Sequence, residues 1–120
     1  GEIPSYKIAE DENFYSFLDI NPNAKGHTLV IPKKEVNKLF DLDKETYAEL
    51  MDFSYRVAKA LEKTVPCERI GMSVIGLEVP HVHVHLIPIN YMDDMRFTKK
   101  ETLTQEAFVS LAKAIAGNFE

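Results

Sequence analysis

Apolar and polar residues alternate in several short stretches of the chain, as side chains do on the two faces of a β-strand. Aromatic and branched residues are frequent in these stretches, and turn-forming residues separate the first three of them, at 11–13 and 21–23. The predicted strands are residues 6–10, 14–20, 26–31, 69–75 and 79–89. Pro32 is expected to end the third strand, and a short turn at Gly76 is expected to join the last two.

Two other segments carry apolar residues at the spacing of an α-helix. The first follows Asp43, a residue type that caps helix N-termini, and ends before Pro66. Its predicted inward face consists of Tyr47, Leu50, Met51, Ser54, Val57, Ala58, Leu61 and Val65. The second covers residues 103–119 behind a cap at Thr102 or Thr104. Its predicted inward face consists of Phe108, Leu111, Ala112 and Ile115. Strands in hairpins, rather than in strand–helix–strand units, predict an antiparallel α+β domain of about five strands.

Composition narrows the classes of function. A chain of 120 residues with 45% hydrophobic content is expected to form one domain with one core. No apolar run approaches the roughly 18 residues of a membrane span, and a net charge of −5 argues against bulk binding to nucleic acid or an anionic membrane. Cys67 is the single cysteine, so neither an internal disulfide nor a multi-cysteine zinc site is expected. With no signal-peptide pattern at the start, these features predict a cytoplasmic protein.

The sequence HVHVHLI at residues 81–87 stands apart from the rest of the chain. The chain has four histidines, and three of them follow a two-residue spacing at His81, His83 and His85. On a strand, this spacing places three imidazole rings on one face and apolar side chains on the other. The apolar face suits packing on a helix, whereas buried imidazoles require polar partners. The histidine face therefore calls for a separate explanation.

Three explanations stay open from the residues alone. A solvent-exposed strand face is one, although such faces usually carry Lys, Glu or Thr. A metal site is another: His81 and His85 lie about 13 Å apart on a strand, too far to share one ion, but two histidines completed by His27 or a carboxylate remain possible. The third is catalysis on a phosphoryl group, because imidazole is a good nucleophile and protonated neighbours donate to phosphate oxygens.

The motif resembles the His-φ-His-φ-His-φ-φ signature (φ, apolar) of the histidine triad (HIT) superfamily of nucleotide hydrolases and transferases. Further segments resemble its Hint-like branch in chain order: GEIPSYK at 1–7, FLDINP at 17–22 and GHTLVIPKK at 26–34. The resemblance extends to about Pro88 and implies a HIT-like fold, with one long helix and a C-terminal helix. Family members usually carry residues before the equivalent of Gly1, so we expect a single HIT domain over 1–120 that is trimmed at its N-terminus.

The resemblance also implies roles for all four histidines. His83 would be the nucleophile that attacks the α-phosphorus of a nucleotide, with its other ring nitrogen donating to a backbone carbonyl. His85 would bind the phosphate, and His27 would support His85 from behind. His81 would help to set the backbone geometry of the triad.

Other residues match the nucleotide pocket of the family. Asp19 matches the acidic residue that accepts hydrogen bonds from the ribose hydroxyls. The residues that match the apolar slot for the base are Phe17, Leu18, Ile20 and Leu29.

The segment before the triad departs from the family pattern. Family members commonly have a longer loop that ends in Gly-Gln-Ser or Gly-Gln-Thr, whose hydroxyl helps to protonate the leaving group. Here the segment is Gly76-Leu77-Glu78, which keeps the glycine but neither the amide nor the hydroxyl. We hypothesise that Glu78, with a pKa raised by burial near the triad, acts as the acid instead. The tail after residue 89 also lacks the tryptophan-containing ending of the Hint-like branch.

The resemblance implies a metal-independent hydrolase, without a cofactor, that cleaves a purine nucleoside phosphoramidate or an acyl-adenylate through a nucleotidyl-histidine on His83. It also implies a homodimer formed through the long helix and an edge strand. Two alternatives remain. The same triad serves dinucleoside polyphosphate hydrolases, and the changes at Leu77 and Glu78 are also consistent with a nucleotide-binding or scaffold protein of vestigial activity.

Overall fold

The computed structural model describes residues 6–120, so the first five residues of the GEIPSYK segment, and the expected trimming before Gly1, lie outside the described residues. The described chain forms five strands, two α-helices and two 3₁₀ turns. The strands are β1 (Lys7–Glu10), β2 (Phe14–Leu18), β3 (Thr28–Pro32), β4 (Arg69–Ser73) and β5 (Val84–Ile89). The helices are α1 (Lys44–Thr64) and α2 (Gln105–Gly117), and the 3₁₀ turns are Leu39–Asp41 and Met92–Met95.

The strands form one antiparallel sheet in the order β1-β2-β3-β5-β4. Thus β5, which contains His85 and follows His81 and His83, lies between β3 and β4 in the sheet, whereas β1 and β4 are the edges. Helix α1 packs on the sheet, and α2 packs against α1 and the β1–β2 hairpin. The predicted antiparallel α+β fold, with one long and one C-terminal helix, is confirmed.

The helix periodicity predicted most of the side chains that the two helices bury. All four residues expected on the inward face of α2 are buried, and the Thr104 hydroxyl accepts a hydrogen bond from the Ala107 N–H at 3.1 Å. Helix α1 follows Asp43 as predicted, but it also buries Phe53 and Ala60, which were not expected, while Tyr47 is exposed. Neither helix of the described chain is both long enough and apolar enough to cross a membrane.

The last predicted strand is shorter than expected. It begins at Val84 rather than at residue 79, so His81 and His83 lie in an extended segment before it. The backbone pairing between β3 and β5 ends at the pair Val30 and Val84, and the Val82 N–H donates to the Val36 carbonyl of a loop instead. The connection over 74–83 is therefore longer than the predicted turn.

Candidate active site

A cavity of about 750 Å³ lies on the face of the sheet that the helices do not cover. All three triad histidines line it, although only His85 belongs to a strand. The alternation expected for a strand thus continues through the extended segment: Val82 and Val84 on the other side are buried in the core. The structure brings the three rings to one side of the chain, as the spacing predicted.

The His83 ring is held by the backbone of its own motif. Its Nδ1 lies 2.7 Å from the carbonyl oxygen of His81. A carbonyl oxygen only accepts hydrogen bonds, so Nδ1 carries a proton and donates it. In the neutral ring, Nε2 of His83 then carries the lone pair, which is the form of imidazole that acts as a nucleophile.

The His85 ring is oriented by a chain of hydrogen bonds that starts in the β2–β3 turn. The backbone N–H of Asn23 donates to Nδ1 of His27 at 2.9 Å, so the proton of the neutral His27 ring is on Nε2. Nε2 of His27 lies 3.0 Å from Nδ1 of His85 and donates to it. Consequently the proton of a neutral His85 ring is on Nε2, and this N–H has no partner within the described part of the chain.

Burial keeps both of these rings neutral. Desolvation, followed by the charges of His85 and Lys100, lowers the pKa of His27 to about 3. Desolvation, followed by His83 and Lys100, lowers the pKa of His85 to about 4. The expectation that a protonated histidine beside the nucleophile would donate to the phosphate is therefore corrected for His85. Its Nε2–H is a neutral donor at physiological pH, because a buried imidazolium would lose its hydration.

His81 has a different environment from the other two triad members. Its Nε2 lies 2.9 Å from the carbonyl oxygen of Pro32 at the end of β3, and therefore donates to it. This bond ties the extended segment to the sheet at the point where strand pairing has stopped. His81 thus stabilises the position of the carbonyl that holds His83.

Asp19 lies at the same cavity, immediately after β2. One carboxylate oxygen accepts from the Asn21 N–H at 2.8 Å, and the other is 3.6 Å from Nε2 of His27. Burial raises the pKa of Asp19, against the opposing effects of the Asn21 hydrogen bond and of Lys100 and His83.

Asp19, His27 and His85 are close enough to be compared with a metal site, since one potential ligand atom of each lies within 4.8 Å of the others. The hydrogen bond from Asn23 keeps the lone pair of His27 on Nδ1, so the protonated Nε2 that faces the cluster offers none. This arrangement fits a hydrogen-bonded relay better than three metal ligands.

The structure separates the residues proposed for the base slot into two groups. Phe17 and Leu29 line the cavity, as do Gly76 and Glu78. Leu18 does not: it is 1% exposed and lies in the core, because side chains alternate along β2 and Phe17 already faces the cavity. Ile20 does not line the cavity either and is 69% exposed.

The hypothesis for Glu78 required a buried carboxyl, and this condition is not met. Glu78 lines the cavity from the 74–83 loop, but its side chain is exposed. The neighbouring Leu77 is 90% exposed. The loop turns at Gly76, whose φ of +74° lies in the left-handed region that glycine adopts without strain. Solvent therefore reaches the side of the cavity that this loop forms.

Among the cavity residues that the sequence analysis missed, two come from the C-terminal tail. The Phe97 ring packs edge-on against His85 with ring centroids 4.7 Å apart, and Lys100 lines the same wall. Both follow the 3₁₀ turn after β5, in the tail that lacks the tryptophan-containing ending of the Hint-like branch. No local motif marks them, because only the folding of this tail against the β2–β3 turn brings them to the triad.

The fold and the site define a class of small α+β proteins in which a sheet presents histidine rings to an open cavity. The model of the HIT domain family matches residues 1–92, and the chain belongs to this family.

The relatives of this chain include a protein with a described activity. The adenosine 5′-monophosphoramidase HNT1 of Saccharomyces cerevisiae is 43% identical over 88 residues, which are 72% of this chain and 56% of that protein. The chain thus matches little more than half the length of this relative.

Solved structures of HIT proteins share the fold. A HIT-like protein of Bartonella henselae involved in cell-cycle regulation has a TM-score of 0.85 and 32% identity, covering 98% of this chain and 89% of that one. A zinc-bound histidine triad protein of Mycobacterium smegmatis has a TM-score of 0.79 and 31% identity, covering 97% and 87%.

Proposed function

We propose that this protein hydrolyses nucleoside 5′-monophosphate derivatives, a purine phosphoramidate or an acyl-adenylate, through a nucleotidyl intermediate on His83. The observation that carries the proposal is the 2.7 Å contact between Nδ1 of His83 and the His81 carbonyl, which leaves the lone pair of the neutral ring on Nε2. The phosphoramidase activity of HNT1, a relative within the same family, supports the choice of substrate class.

The reaction consists of two in-line displacements. In the first, Nε2 of His83 forms a bond to the α-phosphorus while the bond from phosphorus to the leaving group breaks. The leaving group departs with that electron pair: an amine takes a proton from solvent as it leaves, whereas a carboxylate leaves as the anion. In the second, water attacks phosphorus, the bond from phosphorus to Nε2 breaks and the nucleoside monophosphate is released with loss of the water's proton. Two inversions give net retention of configuration at phosphorus.

The residues around His83 supply binding and charge stabilisation in this proposal. The Nε2–H of His85 donates to a non-bridging phosphate oxygen as charge builds up on it, and the relay from His27 keeps that N–H in place. Asp19 accepts hydrogen bonds from the ribose hydroxyls. Phe17 and Leu29 form the apolar wall for the base. These groups act without a metal ion.

The decisive experiment measures amine release from adenosine 5′-phosphoramidate in the presence of a chelator. We expect turnover by the parent protein and none above background by His83→Ala. Lys113→Gln, a change on the exposed side of α2, serves as the control for handling and folding. Turnover that disappears with chelator and returns with zinc would refute the metal-independent mechanism. AMP binding without turnover would favour a nucleotide-binding protein of vestigial activity. Cleavage of diadenosine polyphosphates alone would favour a dinucleoside polyphosphate hydrolase.

We also propose that the protein acts as a cytoplasmic homodimer formed through α1 and the edge strand β4. Met72 of β4 is 50% exposed and Tyr55 of α1 is 63% exposed. Helix α1 and strand β4 are in contact with each other. Unpaired strand edges and exposed apolar side chains are features of association surfaces. Light scattering should give twice the mass of one chain, and Met72→Lys should shift it to the monomer. A monomeric parent protein at micromolar concentration would refute the dimer.

A further inference from the structure

The lining of the cavity offers little positive charge to a nucleotide. Among the described residues that line it, Lys100 is the only lysine or arginine, whereas Asp19 and Glu78 are acidic. His85 adds no positive charge at neutral pH, because burial lowers its pKa to about 4. A phosphate that enters the cavity therefore meets two carboxyl groups, neutral donors and one ammonium group.

The ammonium group of Lys100 is held in place with one donor left over. Its Nζ donates to the Asn21 carbonyl oxygen at 3.2 Å and to Oδ1 of Asn23 at 3.0 Å. It also lies 5.4 Å from the centre of the Phe97 ring, a favourable distance for a cation over an aromatic face. An ammonium carries three protons, so two bonds to protein leave one N–H for a ligand. The side chain is exposed and hence accessible.

The segment that carries Lys100 is held in place by hydrogen bonds around Asp94. Asp94 is buried and accepts hydrogen bonds from the backbone N–H groups of Asn90 and Tyr91 and from Nζ of Lys99. The side-chain amide of Asn23 donates to the Asp94 carbonyl oxygen at 3.1 Å. These contacts hold the tail against the β2–β3 turn. Because the charged side chain is already held in place, less conformational entropy is lost when a ligand binds to it.

The same turn also orients the triad. Asn23 bonds Lys100 through its side chain and His27 through its backbone N–H, and the Phe97 ring that lies beside the Lys100 ammonium packs against His85. The ammonium group and the free N–H of His85 consequently belong to one wall of the cavity. Both groups are hydrogen-bond donors, which suits an anionic ligand on this wall.

We propose that Lys100 binds the anionic phosphate of the nucleotide and sets the preference of the site for phosphorylated over unphosphorylated nucleosides. The inference rests on the proposed function for its ligand, a nucleoside 5′-monophosphate group. It assigns the anion-binding charge to a residue of the C-terminal tail rather than to the histidine motif.

The test compares the binding of AMP and of adenosine by titration calorimetry. We expect Lys100→Gln to weaken AMP binding by about tenfold, the lower end of what a hydrogen bond to a charged group contributes, and to leave adenosine binding unchanged. Lys100→Arg should restore most of the AMP affinity. Lys113→Gln, which makes the same change of net charge on an exposed helix position, should bind both ligands as the parent does.

A purely structural role for Lys100 predicts a different result. If its bonds to Asn21 and Asn23 only stabilise the turn, Lys100→Gln would weaken AMP and adenosine equally, and this outcome would overturn the proposal. Raising the salt concentration should weaken AMP binding more steeply in the parent than in Lys100→Gln. Equal salt slopes would count against the proposal as well.

Measurements of hydrolysis distinguish a failure of this proposal from a failure of the proposed function. With the phosphoramidate substrate, Lys100→Gln should raise KM by a similar factor while kcat stays within about threefold of the parent, since the charge acts on binding. A parent that hydrolyses the substrate but shows no Lys100-dependent AMP affinity refutes only the role of Lys100. A parent that binds AMP through Lys100 without hydrolysing the substrate refutes only the hydrolase.

Discussion

Acidification should destabilise this protein through two of its site histidines. Below its ordinary pKa of 6.5, a histidine in the unfolded chain takes up a proton, whereas His27 and His85 stay neutral in the folded protein until the pH approaches about 3 and about 4. The unfolded state then binds more protons, so the stability that the neutral rings provide is present above pH 6.5 and is lost as the pH falls.

The magnitude follows from the difference in bound protons. Each histidine that is protonated only in the unfolded chain lowers the free energy of unfolding by about 1.4 kcal/mol per pH unit, which gives about 2 kcal/mol between pH 7 and pH 5. Two such histidines give about 4 kcal/mol, a large part of the 5–15 kcal/mol typical of a domain. The figure depends little on the folded pKa values as long as both stay well below 5.

The assay is urea unfolding at pH 7, 6 and 5 on the parent and on His27→Gln. The variant lacks one titrating ring, so its loss of stability over this range should be about 2 kcal/mol smaller than that of the parent. Groups present in both proteins, including Asp19 with its raised pKa, cancel in the comparison to first order. Ile115→Val, a core change that costs about 1 kcal/mol, should keep the pH dependence of the parent. If His27→Gln also kept it, the reasoning from buried neutral histidines would be refuted.

Three further substitutions test particular contacts. Glu78→Gln should leave the pH profile of turnover unchanged, because the side chain is exposed; a lost limb of the profile would instead assign proton transfer to Glu78. Gly26→Ala should lower the free energy of unfolding by about 1–3 kcal/mol, since Gly26 has a φ of +95° and a Cβ would lie 3.0 Å from Pro88; thermal unfolding checks this. Asp94→Asn should lower the free energy of unfolding by about 2 kcal/mol, because the buried carboxylate accepts a charged hydrogen bond from Lys99 at 2.9 Å, and an unchanged urea midpoint would show that this pair contributes nothing.

Local patterns were sufficient for the elements and for the character of the site. The inward face of α2 followed from helical spacing alone, and the three triad rings reached one cavity because the spacing of two matches an extended chain. The same alternation would have excluded Leu18 from the base slot, since Phe17 and Asp19 share the opposite face. In that case the family resemblance, applied residue by residue, was a poorer guide than the strand period.

The length of the last strand could not be obtained from the pattern. Residues 79–83 alternate as a strand does, but a strand also needs a neighbour, and β3 supplies none beyond the pair Val30 and Val84. The ring of His81 and the N–H of Val82 bond to Pro32 and a loop carbonyl instead. Strand pairing depends on the partner, which is remote in sequence.

The fold class, the family and the histidine motif could be inferred from the amino-acid sequence, because each of these depends on residue types at short, regular spacings. The protonated nitrogen of each ring, the neutral state of His27 and His85, and the presence of Phe97 and Lys100 at the site became clear only from the folded chain. Protonation depends on burial and on hydrogen-bond partners such as Asn23 and the His81 carbonyl. His27 and His85 are 58 residues apart, and Lys100 is 77 residues from Asn23. Contacts over such separations arise only when the whole chain packs, so no local pattern encodes them.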